Sequence, residues 1–132
     1  AVSSIHALGL SGTCTVASGA AMEVSGDIPS TGLTKALNLS GTGIAGAGSL
    51  RSTSGTNAIL GAITLAAPAT VAVDADALQL NGVVSGAGMQ LTVANGAGVP
   101  LLLNGANTWT GGTEVQSGIL RLAGSDRIAN TG

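Results

Sequence analysis

LLLNGANTWTGGTEVQSGILRLAG, residues 101–124, opens on alternating leucines (Leu101, Leu103) and closes on another pair (Leu120, Leu122). Between them lie four of its five glycines and Trp109, the only aromatic residue of the chain. Alternation of this kind marks strands with one face buried. Gly, Asn and Thr in between are turn formers. The segment reads as a strand, a Gly/Thr/Asn turn and a further strand, with no convincing helix.

The rest of the chain follows the same pattern. Leu37 and Leu39, Ile63 and Leu65, Val71 and Val73, Leu78 and Leu80, and Leu91 and Val93 all alternate. Gly, Asn, Ser and Thr separate these short runs. Gly or a β-branched residue interrupts each candidate helical series, and Ser30–Leu37 is the only stretch suited to a single helical turn. The expected class is all-β.

Composition narrows the architecture. Gly makes up 22 of 132 residues, or 17%, against a norm of about 7%. Phe and Tyr are absent, and charged residues are 8%, where about 25% is usual. A thick globular core normally draws on large aromatic side chains, whereas a thin core of Ala, Val, Leu and Ile needs none. Disorder combines low hydrophobicity with high net charge; here 45% of residues are apolar and the net charge is −2. No strict Gly-X-Y register runs through the chain, which excludes collagen. Lys35, Arg51, Arg121 and Arg127 are scattered, so the basic patch of a nucleic-acid binder is missing. No apolar run approaches the ~20 residues of a membrane helix. Residues 1–12 lack the basic and apolar regions of a signal peptide, and a chain opening at Ala1 reads as a piece of a longer polypeptide. Cys14 is single, so no internal disulfide framework exists.

Internal similarity points to stacking. GTNAILGAITL (55–65) parallels GANTWTGGTEV (105–115), with Gly55, Asn57, Gly61 and Leu65 recurring as Gly105, Asn107, Gly111 and Val115. GAGSL (46–50) parallels GAGMQL (86–91), and VASG (16–19) resembles VQSG (115–118). Related units of unequal length are the mark of a solenoid, in which strands and corners recur while loops vary. A sandwich also has many short strands, but its core usually carries several aromatics. At roughly 18–25 residues per coil, the chain would hold about six coils. Inward side chains would then pile on like neighbours about 4.8 Å apart.

The residues that decide the fold also carry a family resemblance. LNGVVSGAG (80–88), followed by residues 101–124, resembles the autotransporter-associated β-strand repeat, also called the passenger-associated transport repeat. The family pattern is an apolar strand, then G-A-N-T-Y-T-G-G-T, then a strand and S/A-G-T-L-x-L. Gly105, Ala106, Asn107, Thr108, Thr110, Gly111, Gly112 and Thr113 stand in its places, with Trp109 where Tyr is usual. Ser117, Gly118, Leu120 and Leu122 match the following strand, and Ile119 replaces the common Thr. The match is best over 80–124 and looser over 37–79; residues 1–36 rest on composition and VASG.

The resemblance implies that residues 1–132 form a single right-handed parallel β-helix segment of a longer passenger domain. It implies a bacterial cell-surface or secreted location, reached through the outer membrane by a translocator β-barrel of the same polypeptide. The expected role is a structural stalk that assists secretion by vectorial folding, with no catalytic, cofactor or metal residues. The alternatives are an adhesin that contacts a host or neighbouring-cell surface and, further off, a polysaccharide-active enzyme. Exposed coil ends make end-to-end self-association an expected property. Within the motif, Asn107–Gly112 should form a corner in which Gly111-Gly112 supplies positive φ and Asn107 bonds its local backbone. Trp109 should lie across the outside or edge of that corner, its indole N–H reaching a carbonyl or water.

Other residues invite chemistry. Asp74 and Asp76, at i and i+2 in VAVDADALQL, would share one face of a strand as an acid/base pair or Ca²⁺ ligands; the competing reading is a solvent-facing turn. His6 has no second His or Cys nearby, and Cys14 suits a small buried hydrophobe. Thr13-Cys14-Thr15 is a single T-x-T, too little for a flat lattice. Gly41-x-Gly43-x-x-Gly46 is formally a dinucleotide fingerprint, but the helix it requires is missing. Asn38-Leu39-Ser40 is a glycosylation sequon. Asn81, Asn95, Asn104 and Asn107 are candidates for an amide ladder between coils, three of them preceding Gly.

Overall fold

The computed structural model describes Ser3, Leu8, Gly9 and residues 11–123. They form a parallel β-solenoid of about five coils, close to the six expected. The coils vary in length. Met22 pairs with Leu50, 28 residues on, whereas Leu50, Val71, Val93 and Val115 follow one another at 21, 22 and 22.

Three walls make up each coil. The first holds β1 (Thr13–Val16), β3 (Ala36–Gly41), the start of β6 (Ile63–Val73) and β8 (Val84–Ser85). The second holds β2 (Met22–Ser25), β4 (Leu50–Ser54), the end of β6, β9 (Leu91–Ala94) and β11 (Thr113–Ser117). The third holds β5 (Thr56–Ile59), β7 (Ala77–Leu80), β10 (Pro100–Leu103) and β12 (Ile119–Leu122). All ladders between these strands are parallel. Because β6 runs through two walls, these merge into one eight-stranded sheet beside a four-stranded one. Residues 62–81 contain no glycine, so the chain turns between the walls through Ala66-Ala67-Pro68, where the register against β3 shifts. Proline has no N–H for the ladder and fits such an irregularity.

Alternation places the core. Leu37, Ile63 and Val84 stack in the first wall, Leu50, Val71 and Val93 in the second, Ile59, Leu80 and Leu103 in the third. All nine are at most 2% exposed. Each such burial stabilises by about 1.5–3 kcal/mol relative to exposure. Neighbours are alike rather than identical: Asn57 lies under Leu78, and Ser52 lies between Val24 and Val73. The expected strand pairs all fall in strands. Ser30–Leu37 contains no helix; the Gly32 N–H donates to the Pro29 carbonyl in a turn, and Leu33 bridges to Ile59. One 3₁₀ turn, Ile44–Gly46, stands in the loop before β4.

Two kinds of corner bend the chain. Between the second and third walls the backbone takes positive φ, at Gly55 and Gly118 but also at Asp27 (59°) and Asp76 (61°). Between the third and first walls the requirement is space. Gly61, Gly82 and Gly105 lie on successive coils, and a Cβ on each would stand 2.0, 2.4 and 2.2 Å from the carbonyl oxygens of Lys35, Gly61 and Gly82. No side chain fits at that separation.

Candidate functional site

The repeat motif forms one coil fastened to the coil before it. Gly105 takes the tight corner described above. Asn107–Thr110 is not a corner, as its composition suggested, but fills the place of a first-wall strand. The Thr108 N–H donates to the Val84 carbonyl and the Thr110 N–H to that of Gly86, which continues the rung above β8. The corner proper is Gly111-Gly112. Only Gly112 has positive φ (95°); Gly111 is needed for close approach, since a Cβ there would lie 2.2 Å from the Met89 carbonyl carbon.

Asn107 also differs from expectation. Its Oδ1 accepts the Val84 N–H of the preceding coil at 2.8 Å. Asn95 accepts from Val73 at 3.0 Å and Asn57 from Ile28 at 2.9 Å in the same way. All three are buried, and each supplies a bond that the ladder omits at a corner. Of the four asparagines proposed as an amide ladder, only Asn81 and Asn104 pair, Asn104 Nδ2 donating to Asn81 Oδ1 at 2.6 Å.

Trp109 lies inside rather than across the outside. It is fully buried and belongs to the hydrophobic core. The two bonds of Thr108 and Thr110 set it over Gly86, which has no side chain to occupy that level of the interior. The indole N–H does reach a carbonyl, that of Gly112, at 3.1 Å, and also Thr113 Oγ1 at 3.1 Å. Thr110 Oγ1 accepts the Gly88 N–H at 2.8 Å. Ala106 is exposed. Thr113 opens β11 and pairs with Leu91. Gly118 stands between β11 and β12 with φ 78° and leaves no space for a Cβ beside Asn95. Leu120 stacks on Leu101, and Leu122, 47% exposed, on Leu103.

The carboxylates do not share a face. Asp74 and Asp76 are exposed in a bend after β6, which is the solvent-facing turn of the competing reading and not an extended strand. Asp74 accepts from Arg51 (2.7 Å to Nη2), which also reaches Glu23 at 3.4 Å. The bond Arg51 donates to Asp74, then the charge of Asp74 and lastly that of Glu23, hold the Arg51 guanidinium above its ordinary pKa against the opposing effect of burial. Asp76 accepts the Gly55 N–H and Asp27 the Thr56 N–H, both at 2.8 Å. These corner contacts, and the Arg51 chain across three coils, were not read from the sequence. The recurrence of Ser-Gly before β5, before β12 and at residues 25–26 was the available signal.

Among the described residues no three His, Cys, Asp or Glu converge as metal ligands. Cys14 is half-buried and lines an open recess of about 360 Å³ with Val16, Ala20 and Met22 at the N-terminal end. Gly41, Gly43 and Gly46 have positive φ and shape the loop into β4; the 3₁₀ turn there is no phosphate-binding helix. Asn38 points outward from β3 between Thr15 and Thr64. His6 lies outside the described residues. Comparison with family models, with curated proteins and with solved structures finds no match.

Proposed function

We propose that this chain is a structural stalk segment of a bacterial autotransporter passenger, aiding secretion and surface display by folding coil upon coil. The observation that carries the reading is the pairing pattern. Strand partners lie on adjacent coils, about 20–30 residues apart in sequence, so each coil needs only its neighbour as template. Small side chains, low charge and a single Trp suit a chain that threads a narrow pore unfolded. Stacking outside then opposes backsliding. The translocator β-barrel of the same polypeptide is the implied partner and the cell surface the implied location. In this reading the segment performs no catalysis and takes no cofactor.

The test is deletion of residues 80–124 from the full-length protein, with surface display measured by antibody accessibility on intact cells. A marked fall supports the stalk reading. Undiminished display overturns it, and binding of the isolated segment to host or neighbouring cells would favour an adhesive role instead.

A further inference from the structure

We propose that Asn81 is a self-modification site, cyclising with Gly82 under the influence of Asn104 on the next coil. Asn-Gly occurs three times, at 81–82, 95–96 and 104–105. In such a pair the glycine nitrogen is unhindered. It attacks the asparagine Cγ, a C–N bond forms, the N–H proton passes to solvent, and ammonia leaves. Water then opens the succinimide to aspartate or isoaspartate. The net reaction is amide plus water to carboxylate plus ammonium, and no other reagent is required.

The fold treats the three pairs differently. Asn95 is buried, its Oδ1 accepting the Val73 N–H and its Nδ2 donating to the Val99 and Ile119 carbonyls. Its nucleophile is engaged as well, since the Gly96 N–H donates to the Val73 carbonyl at 2.8 Å. Asn81 and Asn104 are half-buried at the third-to-first corner. The N–H groups of Gly82 and Gly105 have no hydrogen-bond partner among the described residues. Both nucleophiles are therefore unengaged.

Asn81 differs from Asn104 in its carbonyl. Asn104 Nδ2 donates to Asn81 Oδ1 at 2.6 Å. As Gly82 attacks, negative charge builds on that oxygen, and a donor already in place stabilises it. The Asn104 Oδ1 receives no such donor among the described residues. The expected order is Asn81 first, Asn104 second and Asn95 last. Modification adds a negative charge at the corner. The isoaspartyl form also lengthens the main chain beside the Asn81 N–H, which donates to the Ile59 carbonyl.

The folded chain is incubated at mildly alkaline pH, and each site is followed by peptide mass spectrometry that distinguishes isoaspartate. Asn81 should lead and Asn95 should stay intact. N104A should slow Asn81 by about fivefold, far less than a buried oxyanion donor is worth because this pair is half in water. N104Q, which keeps a donor, should restore part of the rate. Gly82→Ala is unusable because its Cβ would meet the Gly61 carbonyl. In urea the three sites should converge and N104A should have no effect, a comparison that stands even if N104A folds poorly. Equal rates at Asn81 and Asn95 in the folded wild type would overturn the proposal, as would an unchanged Asn81 rate in folded N104A.

Discussion

Asn107 Oδ1 accepts the backbone N–H of Val84, 23 residues earlier, at 2.8 Å in the interior of the solenoid. The side chain stands in for a ladder carbonyl where the third wall turns into the first. Removing it leaves a buried donor without an acceptor, which costs about 1–3 kcal/mol. N107A should lower the urea midpoint accordingly, with an unchanged dependence on denaturant. N57A, which orphans the Ile28 N–H, should lose a similar amount. A loss within a few tenths of a kcal/mol for both would show that these bonds are replaced by water.

Trp109 makes a larger contribution. The indole is fully buried, and truncating a buried aromatic to Ala typically costs about 3–5 kcal/mol. W109A should therefore unfold at far lower denaturant, whereas W109F should retain most of the packing and lose only the N–H bonds to Gly112 and Thr113. Being the sole aromatic, Trp109 is its own reporter. Its emission should be blue-shifted and resistant to aqueous quenchers when folded. A red, readily quenched emission from the folded chain would refute the buried placement.

How far the sequence led can be seen at this residue. Alternation located Leu37, Leu39, Ile63 and Leu65 on strands and placed them inward, because period two is a local property of extended backbone. The position of Trp109 depends instead on the level above Gly86, a relation between coils that no local pattern records. The offset of 50 misled for the same reason. Asn57 and Asn107 both cap corners, but Asn57 leads down its column to Leu78 and Leu101, not to Asn107. Similar corner chemistry recurred on different walls. The corner at Asp27 was hidden because positive φ there falls on a residue other than glycine.

Glycines should separate into two classes on mutation. Gly88 has φ 72° and open space where a Cβ would go, so G88A should cost only the left-handed strain, about 1–2 kcal/mol. Gly105 has no positive φ, yet its Cβ would stand 2.2 Å from the Gly82 carbonyl oxygen. The two coils would have to separate locally, breaking ladder bonds, so G105A should be clearly the more destabilising. Thermal unfolding of the two variants decides the matter, and a reversed order would mean that conformation rather than space governs this corner.

Ser52 offers a test in the opposite direction. It is fully buried between Val24 and Val73, and its Oγ accepts from Asn57 Nδ2 at 2.9 Å. That amide carries two protons but has three acceptors, the others being the carbonyls of Ser54 and Gly55 at 2.9 and 3.2 Å. Valine at 52 would remove one acceptor without orphaning a donor. The lost bond is worth about 0.5–1.5 kcal/mol, and burying a Val side chain returns about 1.5 kcal/mol or more. S52V should thus be neutral or up to about 1 kcal/mol more stable, completing an unbroken valine column. S52A, which loses the bond and gains little area, should be less stable than either. If S52V unfolds earlier than S52A, the interior has no room for the added methyl groups; if both unfold well before the wild type, the hydroxyl fixes the Asn57 rotamer on which the bond to Ile28 depends.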